Sequence, residues 1–331
     1  MVRKRYFGDR LNDLPLILAG PILRQVDSSS MSVWFALKQP AKLTLQGFAT
    51  LDGLGGSLGS RVLEANAETV QIGDFLHLAL ITAYGNLSPS QIYAYDVEIE
   101  TTDRSIASLA SLPPSLYGNE GLSYFSHGLP TFATASSRLE DLKLMHGSCR
   151  KPHGKGADML VILDDLLQAS AGDPKERIQQ LFFTGDQIYG DDVADPLLWV
   201  ATDVGDMLLG WTEILPVKSD AANGRAIASF ELVPGVRTEY AKEKAGLTST
   251  IGNSDEIASS HLFSFGEYLA TYLLGWSPYL WPNSFPSGSG RKAGDSLHKT
   301  MGQGCQNPVS IYCRASEGAA IAGECRHLHD F

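Results

Sequence analysis

Short stretches in which apolar and polar residues alternate dominate the first third of the chain. They are residues 31–37, 41–46, 75–82 and 92–100, and they are separated by turns rich in Gly, Pro and Ser. A period of two residues is typical of half-buried strands, and several such strands at short intervals indicate an antiparallel sandwich. We predict an all-β, immunoglobulin- or fibronectin-like sandwich over residues 15–138, after a polar lead-in at 1–14. Within it, the Gly- and Pro-rich residues 101–138 predict a long loop and linker, or a loop that leans over an active site.

The pattern changes after residue 138. An apolar run that begins at Leu142 stops at Gly147, and a second one spans residues 180–183. Between them, residues 157–170 have long side chains, no Gly or Pro and a broad apolar face, which is typical of a helix. Strand, helix and strand in this order predict a βαβ unit.

Polar residues that follow two neighbouring parallel strands gather at one edge of the sheet, where ligands bind. Here they are Cys149, Asp186 and Tyr189. A thiol, a carboxylate and a phenol in one place suit a hard trivalent metal, and this unusual combination makes the three residues the candidate metal ligands. A lone Cys at a strand end is more often a small buried hydrophobe, and a Gly-Asp pair is commonly a turn. Each of the three residues is therefore interpreted as a metal ligand only because the other two are expected beside it.

Two more helices are expected later in the chain. Residues 195–210 have Asp195 as N-cap and Pro196 at the first helical position, and residues 261–276 form an aromatic-rich helix. We therefore predict an α/β (α+β) domain over residues 139–286. Residues 287–331 lose apolar periodicity and are expected to be an irregular tail.

The composition is that of an ordinary globular protein, with 44% hydrophobic and 19% charged residues in 331. The net charge of −11 argues against a nucleic-acid binder that neutralises phosphates. An acidic protein that handles phosphate needs local positive charge, which a bound metal supplies. No apolar run approaches the roughly 20 residues that span a bilayer, and no signal-peptide pattern is found, so a cytoplasmic protein is expected.

The four cysteines are too few for a disulfide scaffold in a chain of this length. Cys305, Cys313 and Cys325 have a spacing that fits no established zinc pattern. A zinc site there with His327 or His329 is an open alternative, but unpaired thiols are the preferred interpretation.

Two motifs carry a family resemblance. HGSCRKPHG at residues 146–154, followed by GDQIYGDD at 185–192, resembles the PhoD-like alkaline phosphatases and phosphodiesterases of the metallophosphatase class. Upstream, GPILRQVD at 20–27 and SVWFAL at 32–37 are similar to the segment that opens the sandwich domain of this family. The resemblance covers roughly residues 15–286 and implies a metallophosphatase-type catalytic domain after the sandwich.

The resemblance implies metal-dependent hydrolysis of phosphate monoesters or diesters by metal-activated water. Cys149 and Tyr189 would bind Fe³⁺, and Asp186 would bridge it to Ca²⁺. Arg150 would hold the phosphate as a bidentate donor, and His153 is a second candidate catalytic residue. The implied partner is a phosphate-ester substrate, with no nucleic acid and no membrane.

The sequence departs from the family pattern at several positions. Gln187 replaces a Tyr, residues 190–192 (GDD) replace a Glu, and two later motifs, of Asp-Asp-His and Gly-Asp-x-His type, are not found. The catalytic domain is therefore expected to be incomplete and truncated at the C-terminal side. The alternative function is a catalytically inert homologue whose sandwich acts as a binding or interaction module.

Smaller motifs near the site are less specific. Asp191 and Asp192 could add calcium oxygens, but a solvated N-cap region is preferred. A P-loop through Lys155 is excluded because Gly156 stands where a Ser or Thr should hold Mg²⁺.

Overall fold

A large, curled antiparallel sheet accompanied by few helices gives the described part of the chain a β-rich fold. The computed structural model describes residues 10–113, 121–150, 160–191, 193–218, 226–233, 235–247, 254–277 and 279–281. The nine strands of the sheet within these ranges are β1 Ile17–Val26, β2 Ser30–Leu37, β3 Lys42–Thr50, β4 Leu58–Glu68, β5 Val70–Gly73, β6 Leu76–Tyr84, β7 Ile92–Glu100, β8 Ser105–Ile106 and β9 Thr131–Ala133.

The strands of this sheet fall into two groups. One group has the order β1-β2-β6 with β5 beside β6, and the other has the order β4-β3-β7 with β8 and β9 beside β7. They join where Glu64 of β4 pairs with Tyr84 of β6, so that the sheet is continuous and curls around its core. Phe35, Leu45 and Tyr95, which are all fully buried, come from both groups and meet in that core. The antiparallel all-β prediction is confirmed for these residues.

Parts of the sheet were not predicted from the sequence. In β4, Leu63 is the single fully buried hydrophobic residue among exposed or half-buried neighbours, and the strand is held by its pairing with β3. The predicted loop at 101–138 contains the short strands β8 and β9, which add to the edge of β7. In β4 and in the short strands β8 and β9, the strand conformation therefore depends on backbone pairing with a neighbouring strand.

The described helices are α1 Leu160–Ala169, α2 Asp195–Leu209, α3 Arg237–Glu239, α4 Asp255–Ser260 and α5 Phe265–Leu274, and α3 continues as a π-helical turn over Tyr240–Lys244. Helices α2 and α5 pack on each other and on the outer face of the sheet, where Leu18, Leu76 and Val204 share a second buried cluster. The two helices touch at glycines, because a Cβ on Gly205 would lie 2.4 Å from the carbonyl carbon of Gly266. This second cluster contains residues from before and after residue 138. The domain boundary predicted at that residue stays a prediction.

The predicted helix at 195–210 is confirmed over Asp195–Leu209, and it ends at Gly210, whose φ is +83°. The prediction of Asp195 as its N-cap is wrong, because the N-cap is Ala194 and Asp195 already lies in the first turn. The helix predicted from residue 261 begins later, at Phe265. Ser264 Oγ accepts a hydrogen bond from the Glu267 N–H, and the Glu267 carboxylate accepts one from the Ser264 N–H. This capping box fixes the start of α5. Helix α4 lies between the two predicted helices, in a stretch for which no element was predicted.

The βαβ prediction is also confirmed. Strand β10 (Leu144–Gly147) pairs in parallel with β11 (Gln180–Phe183), and α1 lies in the connection between them. Two further short strands, β12 (Ile214–Leu215) and β13 (Ile227–Ala228), form an antiparallel pair. The predicted tail at 287–331 lies outside the described residues.

Candidate metal centre

The loops that follow β10 and β11 bring Cys149, Asp186 and Tyr189 together. The Tyr189 hydroxyl donates a hydrogen bond to the Cys149 sulfur, and the Asp186 backbone N–H donates another to the same atom. The Tyr189 hydroxyl also interacts with the Asp186 carboxylate. Three residue types that the sequence indicated as metal ligands therefore share one hydrogen-bonded cluster at the carboxyl ends of two parallel strands.

Local backbone geometry produces this contact. Cys149 has a φ of +58°, in the left-handed region that non-glycine residues seldom adopt. Gly185 lies directly against the Cys149 loop, since a Cβ there would stand 2.5 Å from Cys149 Sγ and 2.3 Å from Ser148 Oγ. The absence of a side chain at Gly185 is what lets the two loops approach.

Hydrogen bonds stabilise the thiolate form of Cys149. The Ser148 hydroxyl, 3.1 Å from Sγ, is the largest cause of a lowered pKa of the thiol, and the Tyr189 hydroxyl and the Asp186 N–H lower it further. Partial loss of hydration of this exposed thiol and the charge of Asp186 act in the opposite direction and are outweighed. A hydrogen bond to the charged form favours that form, so the sulfur of Cys149 is prepared for use as an anionic ligand.

The phenol of Tyr189 is affected in the opposite sense. Its hydrogen bond to Cys149, followed by partial burial and the negative charges of Cys149 and Asp186, raises the pKa of Tyr189 to about 12. Without a cation, the shared proton therefore stays on the phenol. Three groups that repel one another when ionised would be held together by a positive ion, which would also displace the phenolic proton.

These residues fit the metals that the family resemblance implies. Thiolate and phenolate are suitable anionic ligands for Fe³⁺, and a carboxylate can bridge iron to Ca²⁺. Among the described residues, no group of three or more His, Cys, Asp and Glu is placed to hold a metal. The cluster found here has two residues of those types, and its third ligand is a tyrosine.

Arg150 directly follows Cys149 in the chain, and its side chain contacts the end of α5. Its Nη1 donates a hydrogen bond to the Gly275 carbonyl at 3.1 Å, and its guanidinium carbon is 4.9 Å from the centre of the Trp276 ring. His153, the other predicted catalytic residue, lies in the segment 151–159, outside the described residues. His146 Nε2 is 2.6 Å from Thr184 Oγ1 and links the two strand ends.

Two neighbours of the predicted ligands have roles that pattern reasoning did not assign. Ser148 hydrogen-bonds the sulfur, and Gly185 permits the close approach of the loops. The Gly-Asp sequence just after an apolar strand is the feature of the sequence that could have indicated a close contact at Gly185. Trp276 was interpreted as the end of a helix, and nothing in its local sequence indicates that it supports Arg150.

No family model matches this chain. A search among curated proteins also found no match. In the described ranges, none of the helices has the length and apolar character needed to cross a membrane.

Proposed function

We propose that this protein is a phosphoric ester hydrolase that cleaves phosphate monoesters or diesters at the Cys149, Asp186 and Tyr189 cluster. The observation that supports it is the hydrogen-bonded contact among these three side chains. Their positions after two parallel strands match the place where α/β folds bind ligands. The resemblance of the two loop motifs to PhoD-like enzymes is the second support.

In this proposal Cys149 and Tyr189 would hold Fe³⁺, and Asp186 would contribute its carboxylate as a ligand of the iron and calcium ions. The bound metals would polarise the phosphoryl oxygens and lower the pKa of an attacking water. Arg150 donates hydrogen bonds to the phosphoryl group. Its contacts with Trp276 and Gly275 already restrict its side chain, so it loses less conformational freedom when it binds phosphate. We assign His153 a second contact with the phosphate.

The same proposal extends to the architecture. The curled sheet is an immunoglobulin- or fibronectin-like sandwich, and the βαβ unit with α2 and α5 belongs to a metallophosphatase-type domain. We also propose a cytoplasmic location.

The proposal is tested by hydrolysis of p-nitrophenyl phosphate and bis-p-nitrophenyl phosphate with iron and calcium added. Cys149→Ser and Tyr189→Phe are expected to lower turnover by at least about 100-fold, because each removes an anionic ligand. Tyr84→Phe is the matched control, since Tyr84 is exposed on β6 of the sheet. Turnover that survives both site variants unchanged would refute the assignment.

A second candidate function is a catalytically inert binding module. The main buried core of the sheet draws its residues from Leu16 to Phe132 and includes none from the loops that carry Cys149 and Asp186. The sheet can therefore keep a core of its own without the site. A folded, iron-loaded protein that hydrolyses neither ester would favour this function.

A further inference from the structure

A cleft of about 360 Å³ runs along the free side of β11. The second half of β1 forms one wall, β11 forms another, and Tyr272 and Trp276 at the end of α5 form a third. This volume falls within the range of small-molecule sites, roughly 300–1,000 Å³.

One end of the cleft adjoins the candidate metal centre. Gln187 lines the cleft and directly follows Asp186 in the chain. Trp276 lines the cleft as well, and the guanidinium of Arg150 stacks over its ring. A molecule in the cleft would therefore have one end close to the side chains that are proposed to bind metal and phosphate.

The lining combines aromatic rings with amide groups. The ring centres of Tyr272 and Trp276 are 6.3 Å apart at an interplanar angle of 51°, and Arg24 Nη2 donates a 2.8 Å hydrogen bond to the Tyr272 hydroxyl. Gln187 Nε2 donates to the Gly185 carbonyl, but in the described part of the chain Gln187 Oε1 has no hydrogen-bond partner. The side-chain amide of Gln180 has none within the same ranges.

Such a lining suits a flat, polar ring system. Aromatic side chains stack on any π-face, and an amide offers a donor and an acceptor that match the edge of a heteroaromatic base. The net charge of −11 disfavours binding of a long polyanion. The volume of the cleft suits a small ligand.

We propose that this cleft binds the organic group of the phosphoester and selects a heteroaromatic group of nucleoside type. The inference rests on the proposed function, because it takes the adjoining cluster as the place where the phosphate is bound. The side-chain amide of Gln187 forms a hydrogen bond with the edge of the ring system, and Trp276 and Tyr272 pack against the ring system.

Adenosine is the probe, because it has the ring system but no phosphate and so binds without the metal centre. Calorimetric titration of the full chain is expected to show saturable adenosine binding and no glycerol binding. Gln187→Leu should weaken adenosine binding by about tenfold through the lost hydrogen bond. Gln180→Trp should abolish it, because the larger side chain fills the cleft from a strand position that accepts aromatic residues. Gln71→Leu, on the exposed strand β5, is the matched control and should bind as the wild type does.

The absence of saturable adenosine binding would overturn the inference. Unchanged affinity in both Gln187→Leu and Gln180→Trp, with circular dichroism showing native folding, would also overturn it, because adenosine would then bind elsewhere. Failure of the cleft and failure of the proposed function can be told apart with Cys149→Ser. If that variant binds adenosine normally and still hydrolyses phosphoesters, the cleft assignment stands and the assignment of hydrolysis to the Cys149 cluster is wrong. If adenosine does not bind but hydrolysis depends on Cys149, the function stands and the cleft assignment is wrong.

Discussion

Replacement of Gly185 by Ala tests whether close contact between the two loops creates the site. The glycine has an ordinary φ, so the backbone itself accepts alanine without strain. The added methyl group, however, would stand 2.3 Å from Ser148 Oγ, 2.5 Å from Cys149 Sγ and 2.9 Å from the Cys149 backbone nitrogen. Ordinary contact begins near 3.4 Å.

The size of the effect follows from which of these atoms can move. The Ser148 hydroxyl can rotate away, but Cys149 presents its backbone nitrogen as well as its sulfur. The thiol must therefore retreat by about 1 Å, and a misplacement of that size in a catalytic group costs on the order of 100-fold in rate. The hydrogen bonds from Tyr189 and Asp186 to the sulfur would break in the same movement.

The assay measures iron content after reconstitution and hydrolysis of bis-p-nitrophenyl phosphate with calcium present. Gly185→Ala is expected to lose iron and about 99% of turnover. Its thermal stability should change little, because the loops are exposed and surface changes have small effects on the free energy of unfolding.

Gly56→Ala is the matched control, since no atom lies within 4 Å of its Cβ position and its φ is not positive. It should keep wild-type iron content and turnover. A Gly185→Ala protein that binds iron and turns over like Gly56→Ala would refute the idea that loop contact at this glycine forms the site.

Three further predictions concern protonation and folding. Tyr189→Phe removes a hydrogen-bond donor to the Cys149 thiolate, so the pKa of Cys149 should rise toward its ordinary value, as measured from the pH dependence of iodoacetamide labelling of the Cys149 peptide in metal-free protein; an unchanged labelling profile would contradict the contact. Arg237→Met should cost about 3–5 kcal/mol in chemical denaturation, because it leaves the fully buried Glu267 carboxylate without its ionic partner. Burial, the largest single cause, raises the pKa of Glu267, but the charge and hydrogen bonds of Arg237, together with hydrogen bonds from Phe263 and Thr202, outweigh it and leave that pKa lowered. Wild-type stability should therefore fall as the pH drops below the ordinary 4.5, and Arg237→Met should lose this dependence. Ser264→Ala removes the N-cap of α5 and should cost about 1 kcal/mol in the same denaturation assay, with no change in turnover.

Periodicity predicted the parts of the fold in which one segment determines its own structure. The strand β7 and the helix α2 were predicted with correct bounds or nearly so, because their apolar patterns and end signals are local. Strand β4 was missed, because several of its apolar positions carry small side chains such as Ala65 and Ala67, and its pairing with β3 is a non-local interaction. The start of α5 was placed four residues too early, at His261 instead of Phe265, because the apolar pattern does not mark the capping box of Ser264 and Glu267 that begins the helix.

The candidate site shows the same division. Cys149, Asp186 and Tyr189 could be brought together from the sequence, because a βαβ unit places the ends of its two strands side by side. The roles of Gly185 and Trp276 depend on distances between loops and a helix that are remote in the chain, and those distances exist only in the folded protein. The cleft along β11 likewise needs β1 and α5 to pack against the unit.

Coordination of iron by sulfur and phenolate is the central claim, and the visible absorption spectrum after reconstitution with Fe³⁺ tests it most directly. We predict about one iron per chain and a charge-transfer band that shifts in Cys149→Ser and is lost or strongly weakened in Tyr189→Phe. A colourless protein that does not retain iron, or a band that neither variant alters, would contradict the account.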